Sequence, residues 1–297
     1  MSYIYLENVQ KSFAGQPVLK DVCLSIEKGE FVAIVGFSGT GKSTLLNLMA
    51  GLVMPDEGKV LFDQREVTGP GPERGVVFQN YSLLPWMSVY ENVRLGVDAV
   101  FREWGDEERD RHTRKYIEMV NLTPALRKRP SELSGGMRQR VSVARALAMN
   151  PQTLLMDEPL GALDALTRST LQDEIGEIWQ KEKKTVVLIT NDVDEGILLA
   201  DRVIPLLPGE NGATLHEGVR IDLERPRDRK QINHNPRFQE LRKRIFQILR
   251  EIGKSTTPAE DQDRDRGLPR IDPVHQRLSL SDRIRRFRNA HVIATEN

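Results

Sequence analysis

The run Gly36-Phe37-Ser38-Gly39-Thr40-Gly41-Lys42-Ser43 constrains this chain more than any other stretch, because it admits essentially one local geometry. It matches the phosphate-binding pattern G-x-x-x-x-G-K-[ST] at every fixed position. The apolar residues 31–35 before it read as a buried parallel strand, and residues 44–50 read as the helix that follows. Glycines let the backbone bend around phosphates with successive N–H groups pointing inward, and the helix N-terminus adds partial positive charge. In such a loop Lys42 reaches the β- and γ-phosphates and the Ser43 hydroxyl is placed to ligate Mg²⁺. Residues 36–43, together with Thr44, are therefore the expected nucleotide contacts, and the rest of the chain has to explain how the nucleotide's energy is used.

Size and charge narrow the classes. The 297 residues, 39% of them hydrophobic, suffice for one large α/β domain with extensions. Lysine plus arginine and aspartate plus glutamate each number 43, which argues against nucleic-acid binding through bulk charge. The lone cysteine, Cys23, sits in an alternating strand-like run and is expected to be a buried, inert thiol. No stretch approaches the roughly 20 apolar residues of a spanning helix, and residues 1–7 lack a basic segment followed by a long apolar one. The chain by itself is expected in the cytosol, with any membrane role arising through a partner.

Residues 3–27 read as strands broken by turns, at residues 3–7, 11–16 and from 18 onward, an antiparallel sheet ahead of the phosphate loop. Phe13 lies beside a Gly turn, where an aromatic face can stack on adenine, although a bare aromatic is more often core. Residues 75–79 form an apolar strand ending in Gln79, and a residue at the carboxyl end of a parallel strand faces the ligand crevice. Gln79 is thereby a candidate for touching Mg²⁺ or the attacking water. From residue 81 to about 150 the pattern turns helical and charged, as a helical subdomain inserted into the α/β core. At its end stands Leu133-Ser134-Gly135-Gly136-Met137, with Ser134 as a helix N-cap and Gly135 and Gly136 exposing backbone N–H groups, a second anion cradle. Two cradles in one chain cannot serve the same γ-phosphate; a second chain would explain both.

Residues 153–158 are a buried strand ending in Asp157 and Glu158. Strand alternation points the two carboxylates apart, so Asp157 is assigned to Mg²⁺ through water and Glu158 to the nucleophilic water as base or orienter. Residues 185–190 are the last strong core strand, delivering Asn191 and Asp192 to the crevice. Further on, Asn235-Pro236 starts a helix with Phe238, Leu241, Ile245, Ile248 and Ile252 at spacings of three and four. The mixed-charge residues 255–297 read as mostly disordered.

In this order the parts resemble the ATP-binding subunit of an ABC transporter. The fold implied is α/β, a P-loop NTPase core with a parallel sheet, an N-terminal antiparallel β subdomain and the inserted helical subdomain. Its ATPase domain would span residues 1–223, followed by a helical extension at 224–254 and the tail at 255–297. The Leu-Ser-Gly-Gly signature is the most specific piece. In that family two ATPase chains close head to tail over two ATP molecules, each phosphate loop completed by the partner's signature, which resolves the double cradle. Residues 81–93 and Arg225-Pro226-Arg227-Asp228-Arg229 are similar to the nitrate, sulfonate and taurine importer group. Residues 188–205 and 232–238 look most like its nitrate and bicarbonate branch. The resemblance implies integral-membrane permease subunits, a periplasmic or lipid-anchored substrate-binding protein, and a peripheral place on the cytoplasmic face of the inner membrane.

One position departs from the pattern. The family normally places histidine where this chain has Asn191, and an asparagine amide donates a hydrogen bond but cannot become cationic or take up a proton. Slower hydrolysis at this site, and a second ATPase subunit carrying the histidine in a heterodimer, are the expectations. The competing reading is a soluble ATPase of the DNA-repair or chromosome-structure class. Those heads carry very long coiled coils between loop and signature, whereas the interval from Lys42 to Leu133 holds only a small subdomain without sustained heptads. A translation-associated ATPase would need two such domains in one chain.

Overall fold

A computed structural model describes residues 2–161, 163–227 and 232–253 of the protein, and the expected tail at 255–297 lies outside the described residues. In chain order the elements are β1 (Ile4–Phe13), β2 (Gln16–Ile26), β3 (Phe31–Val35), α1 (Lys42–Ala50), β4 (Glu57–Phe62), β5 (Arg65–Glu66), β6 (Arg74–Val77), α2 (Val89–Val100), α3 (Asp106–Met119), α4 (Gly135–Ala148), β7 (Thr153–Asp157), α5 (Ala165–Glu182), β8 (Thr185–Thr190), α6 (Val193–Leu199), β9 (Arg202–Leu207), β10 (Thr214–Leu215), β11 (Val219–Arg220) and α7 (Pro236–Gly253).

Two sheets carry the fold. One is antiparallel in the order β2-β1-β4-β5; the other runs β10-β9-β3-β8-β7-β6, with β11 paired to β9. Within the second, β3 pairs in parallel with both β8 and β9, and β7 pairs in parallel with β8 and β6, so five of its strands run the same way and end at one edge. Every residue of β3, β7 and β8 is buried. Strand alternation explains why the runs are apolar throughout: Phe31, Ala33 and Val35 enter the core shared with the helices, whereas Val32 and Ile34 enter the core shared with α1 and the antiparallel sheet.

Three sequence expectations change. β1 continues unbroken through Lys11 to Phe13, where residues 11–16 read as a separate strand, because Ala14 and Gly15 turn the chain with φ of 48° and 80° and Phe13 pairs directly with Gln16. The strand expected to run to Gln79 stops at Val77, leaving Gln79 on the loop beyond it. Cys23 is exposed, against the expected buried thiol. Alternation along β2 buries Val22, Leu24 and Ile26, so Cys23 falls on the outer face, where its thiol donates to Asn8 Oδ1 at 3.1 Å.

The inserted helices α2 to α4 join the larger core through Val89, Val93, Ile117 and Val141. Ser88 begins α2 with a reciprocal cap, its side chain accepting from Glu91 N while the Glu91 carboxylate accepts from Ser88 N. α7 buries Phe238, Leu241 and Ile245, which the spacing predicts, together with Leu249, which it does not, while Ile248 is half-buried; the helix packs on α6 and β9.

Candidate functional site at the carboxyl edge of the parallel sheet

The phosphate loop leaves β3 and turns into α1, and two of its glycines have a steric reason. A Cβ at Gly36 would sit 2.7 Å from the Leu206 carbonyl oxygen, so the loop can pass β9 only without a side chain. Gly41 holds the N-cap of α1 at φ 92°, and a Cβ there would meet Val18 Cγ1 at 2.8 Å. Thr40 Oγ1 donates to the Phe37 carbonyl at 2.9 Å, while the Phe37 and Ser38 side chains lie exposed at the tip.

Lys42 lies inside the curl of the loop. Its Nζ donates to the carbonyls of Gly36 at 3.1 Å and Phe37 at 2.8 Å and stands 3.9 Å from Glu158 Oε1. Burial pushes its ammonium below the ordinary lysine range, and the neighbouring carboxylates of Glu158 and Asp157 pull it back up. Ser43 donates to Asp157 Oδ1 at 3.0 Å, linking the first turn of α1 to the end of β7. Burial raises the Asp157 carboxyl above its usual range, the Ser43 hydrogen bond opposes this, and the Glu158 charge adds to it.

Glu158 is the meeting point. Its backbone takes φ 44°, a left-handed conformation, at the residue after the end of β7. The two carboxylates hold different partners, Ser43 on Asp157 and Gln79 with Asn191 on Glu158. Glu158 Oε2 accepts from Gln79 Nε2 at 3.1 Å and Oε1 accepts from Asn191 Nδ2 at 2.6 Å. Gln79, Glu158 and Asn191 also line one cleft of about 550 Å³. An oxygen set of serine hydroxyl, aspartate and a glutamine amide suits Mg²⁺, which prefers hard oxygen ligands and is commonly shared with nucleotide phosphates. With its nitrogen on Glu158, Gln79 keeps the amide oxygen as the atom that can face a cation.

The second glycine motif sits elsewhere. Ser134 Oγ caps α4 by accepting from Met137 N at 3.2 Å. A Cβ at Gly136 would lie 2.1 Å from Thr167 Cγ2 and one at Gly135 would lie 3.4 Å from the Tyr81 hydroxyl, so the motif packs on the start of α5 and on the segment after Gln79. Its neighbours among the described residues are not those of the phosphate loop. Arg145 of α4 holds that same segment, donating to the carbonyls of Ser82 at 2.7 Å and Tyr81 at 3.2 Å, at two residues whose φ values of 48° and 64° are left-handed. Phe13, at the β1–β2 hairpin, is 46% exposed, with Lys11 Nζ over its ring at 5.3 Å from the ring centre.

Sequence reading missed the support behind Asn191. Thr190 donates its hydroxyl to the buried Glu195, which also accepts from Gln172 Nε2 at 3.2 Å, and Thr190 Oγ1 accepts from Asp192 N at 3.0 Å. Asp192 caps α6, accepting from Asp194 N at 2.9 Å and Glu195 N at 3.2 Å. The spacing of Asp192 and Glu195 carries a helix-start signal; the pairing with Gln172 on α5 has no counterpart in local sequence.

Comparison with known proteins agrees with this geometry. The model of the ABC transporter family matches residues 19–161. The nitrate transport protein NasD of Klebsiella oxytoca is 51% identical over 234 residues, which is 78% of this chain and 89% of NasD. The nitrate import ATP-binding protein NrtD of Synechococcus elongatus is 46% identical over 251 residues, 83% of this chain and 91% of NrtD. The bicarbonate transport ATP-binding protein CmpC of the same species is 46% identical, but this chain spans only 38% of its length. Among solved structures, the dimeric ATP-binding cassette MJ0796 in a post-hydrolysis state bound to ADP and Pi aligns with a TM-score of 0.67 at 33% identity, covering 74% of this chain and all of that one.

Proposed function

The chain belongs to the ABC transporter family as an ATP-binding, ATP-hydrolysing subunit, and on that premise we propose that it drives import of a small anion, nitrate or nitrite, through a membrane permease. The observation that carries the catalytic part is the convergence on one carboxylate, Glu158, of Gln79, Asn191 and Lys42 from three separate elements. The nitrate part is supported by the names of NasD and NrtD. Nothing in these relatives favours the DNA-repair class.

ATP enters as substrate. The loop amides of residues 36–43 and the Lys42 ammonium receive the phosphates, and Phe13 offers its ring to the base. Ser43, Asp157 and Gln79 would hold Mg²⁺, which supplies neutralisation of the charge that develops between the β- and γ-phosphates. Glu158 orients water and accepts its proton; Gln79 and Asn191 fix the carboxylate's position from two sides. Ser134, Gly135 and Gly136 turn toward a second ATPase chain, whose γ-phosphate they cap. A heterodimer suits Asn191, with the faster hydrolysis at the site where the partner supplies a histidine. Residues 83–93, with Trp86 64% exposed, form the surface for the permease. A binding protein delivers the anion from the other side. No described helix is long and apolar enough to cross a membrane; in this reading the permease provides the attachment at the inner face.

The test is recovery of the tagged chain from solubilised membranes with its partners, followed by reconstitution. The reading holds if an integral-membrane permease and a second ATPase chain copurify and nitrate accumulates in vesicles only with ATP. It fails if the chain comes down without a membrane protein or if nitrate neither moves nor stimulates hydrolysis.

A further inference from the structure

The cleft that holds Gln79, Glu158 and Asn191 is also lined by Arg242 and Phe246, two residues of α7 in the C-terminal extension. Arg242 Nε stands 2.7 Å from Asp194 Oδ1 in the first turn of α6. α6 is seven residues long, starts two residues after Asn191, and has most of its side chains buried. A helix this short moves as a rigid piece, so a displacement of its first turn carries Asn191 with it. Its other end is tethered by the same region of chain. Arg225 Nη2 donates to the Leu199 carbonyl at 2.7 Å, and Arg227 Nη1 donates to the carbonyls of Ile197 and Ala200 at 2.7 Å each. Arginines that follow the last core strand thus hold α6 at both ends.

We propose that Arg242 is a positioning residue for ATP hydrolysis: its ion pair with Asp194 sets the first turn of α6 and so keeps the Asn191 amide against Glu158. The inference rests on the reading of Glu158 and Asn191 as the hydrolytic pair. The Arg242 and Asp194 side chains remain 43% and 40% exposed, although the paired Nε and Oδ1 atoms are shielded from water, and a pair on partly solvated side chains adds little to fold stability. The anchoring of α7 comes instead from Phe238, Leu241 and Ile245, which are buried and uncharged. Loss of the pair therefore falls on the placement of α6, and a change in turnover without a change in melting temperature is its signature.

The experiment uses the complex purified from membranes with the full chain, and kcat is read for this chain's own site, with the partner chain's site silenced by substitution of its own hydrolytic base. Arg242→Ala is expected to lower kcat about 5-fold, at the low end of coupling between sites, with KM for ATP and melting temperature unchanged. Asp194→Ala should match it, the double variant should fall no further, and both Arg242→Lys and the exchange Arg242→Asp with Asp194→Arg should recover most of the loss. Lys243→Ala, an exposed neighbour on α7, serves as the control that keeps parental turnover. Should Arg242→Ala fail to assemble, Arg242→Gln and Asp194→Asn answer the same question. The proposal is overturned if Arg242→Ala leaves kcat unchanged, or if its loss comes with a lowered melting temperature and neither Lys nor the exchange restores it. Glu158→Gln run alongside separates the two levels: full turnover in that variant sinks the reading of the site, while a dead Glu158→Gln beside a fully active Arg242→Ala sinks only this inference.

Discussion

Asn191 Nδ2 donates to Glu158 Oε1 at 2.6 Å, joining the residue that follows β8 to the carboxylate that follows β7. The strand register makes this contact. Asp157 pairs with Ile189, and Glu158 N donates to the Ile189 carbonyl at 2.9 Å, so the two chains leave the sheet side by side. An amide in that place orients the carboxylate without competing for its proton.

Replacing Glu158 with Gln keeps the shape and removes the base. Hydrolysis at this chain's own site should fall by about 10²- to 10⁴-fold while nucleotide binding there, which rests on the loop and Lys42, persists. Equilibrium binding of labelled ATP beside single-turnover hydrolysis, with the partner's site silenced, checks both halves.

Asn191→His introduces a donor that can carry charge. A charge-assisted hydrogen bond to the γ-phosphate is worth about 1–3 kcal/mol, so hydrolysis at this site should rise roughly 10- to 100-fold. Single-turnover hydrolysis on the complex isolates this site; an unchanged rate would show that the amide already supplies what the reaction needs.

Glu195 predicts a pH effect on stability. Burial holds its carboxyl above the ordinary glutamate range, against the hydrogen bonds from Thr190 and Gln172. The folded chain then binds this proton more tightly than the unfolded chain, so the group's contribution falls as pH rises from the unfolded value through the raised folded one. Glu195→Gln removes the titration, and its stability relative to the parent should improve between pH 5 and pH 8 in denaturant titrations. A constant difference over that range would contradict the assignment.

Gly136 has no room for a methyl group, since a Cβ would stand 2.1 Å from Thr167 Cγ2. Gly136→Ala should destabilise the chain by about 1–3 kcal/mol through overpacking. Thr167→Ser removes the obstructing methyl and should return most of that stability, measured by thermal unfolding of the single and double variants.

Cys23 should react with a water-soluble maleimide in the native protein at the rate of an exposed thiol, and Cys23→Ser should change stability by no more than about 0.5 kcal/mol. Protection until unfolding would restore the buried assignment.

Much of the core was legible because apolar runs of strand length between turn residues leave few alternatives. Residues 31–35 and 185–190 became β3 and β8, the run expected at 153–158 became β7 and stops at Asp157, all three are buried, and Ser134 and Asn235-Pro236 stand at helix starts. Legibility failed where two faces of one strand had to be told apart. Cys23 belongs to an alternating run, and alternation states that neighbours point opposite ways without stating which way is in.

The phosphate loop, the Leu133-to-Met137 motif and the paired acids after a buried strand were determined by sequence alone, because each encodes a backbone path within a few residues: glycine where φ is positive or a Cβ would collide, a capping hydroxyl, a strand that must end. The tertiary structure alone decided what meets at Glu158, through the register of β7 on β8 and a left-handed turn at that residue. It also decided that Arg242 reaches Asp194 and that Gln172 reaches Glu195. Such contacts join residues tens of positions apart, and side-chain periodicity carries no information about which surfaces of two distant elements will pack together.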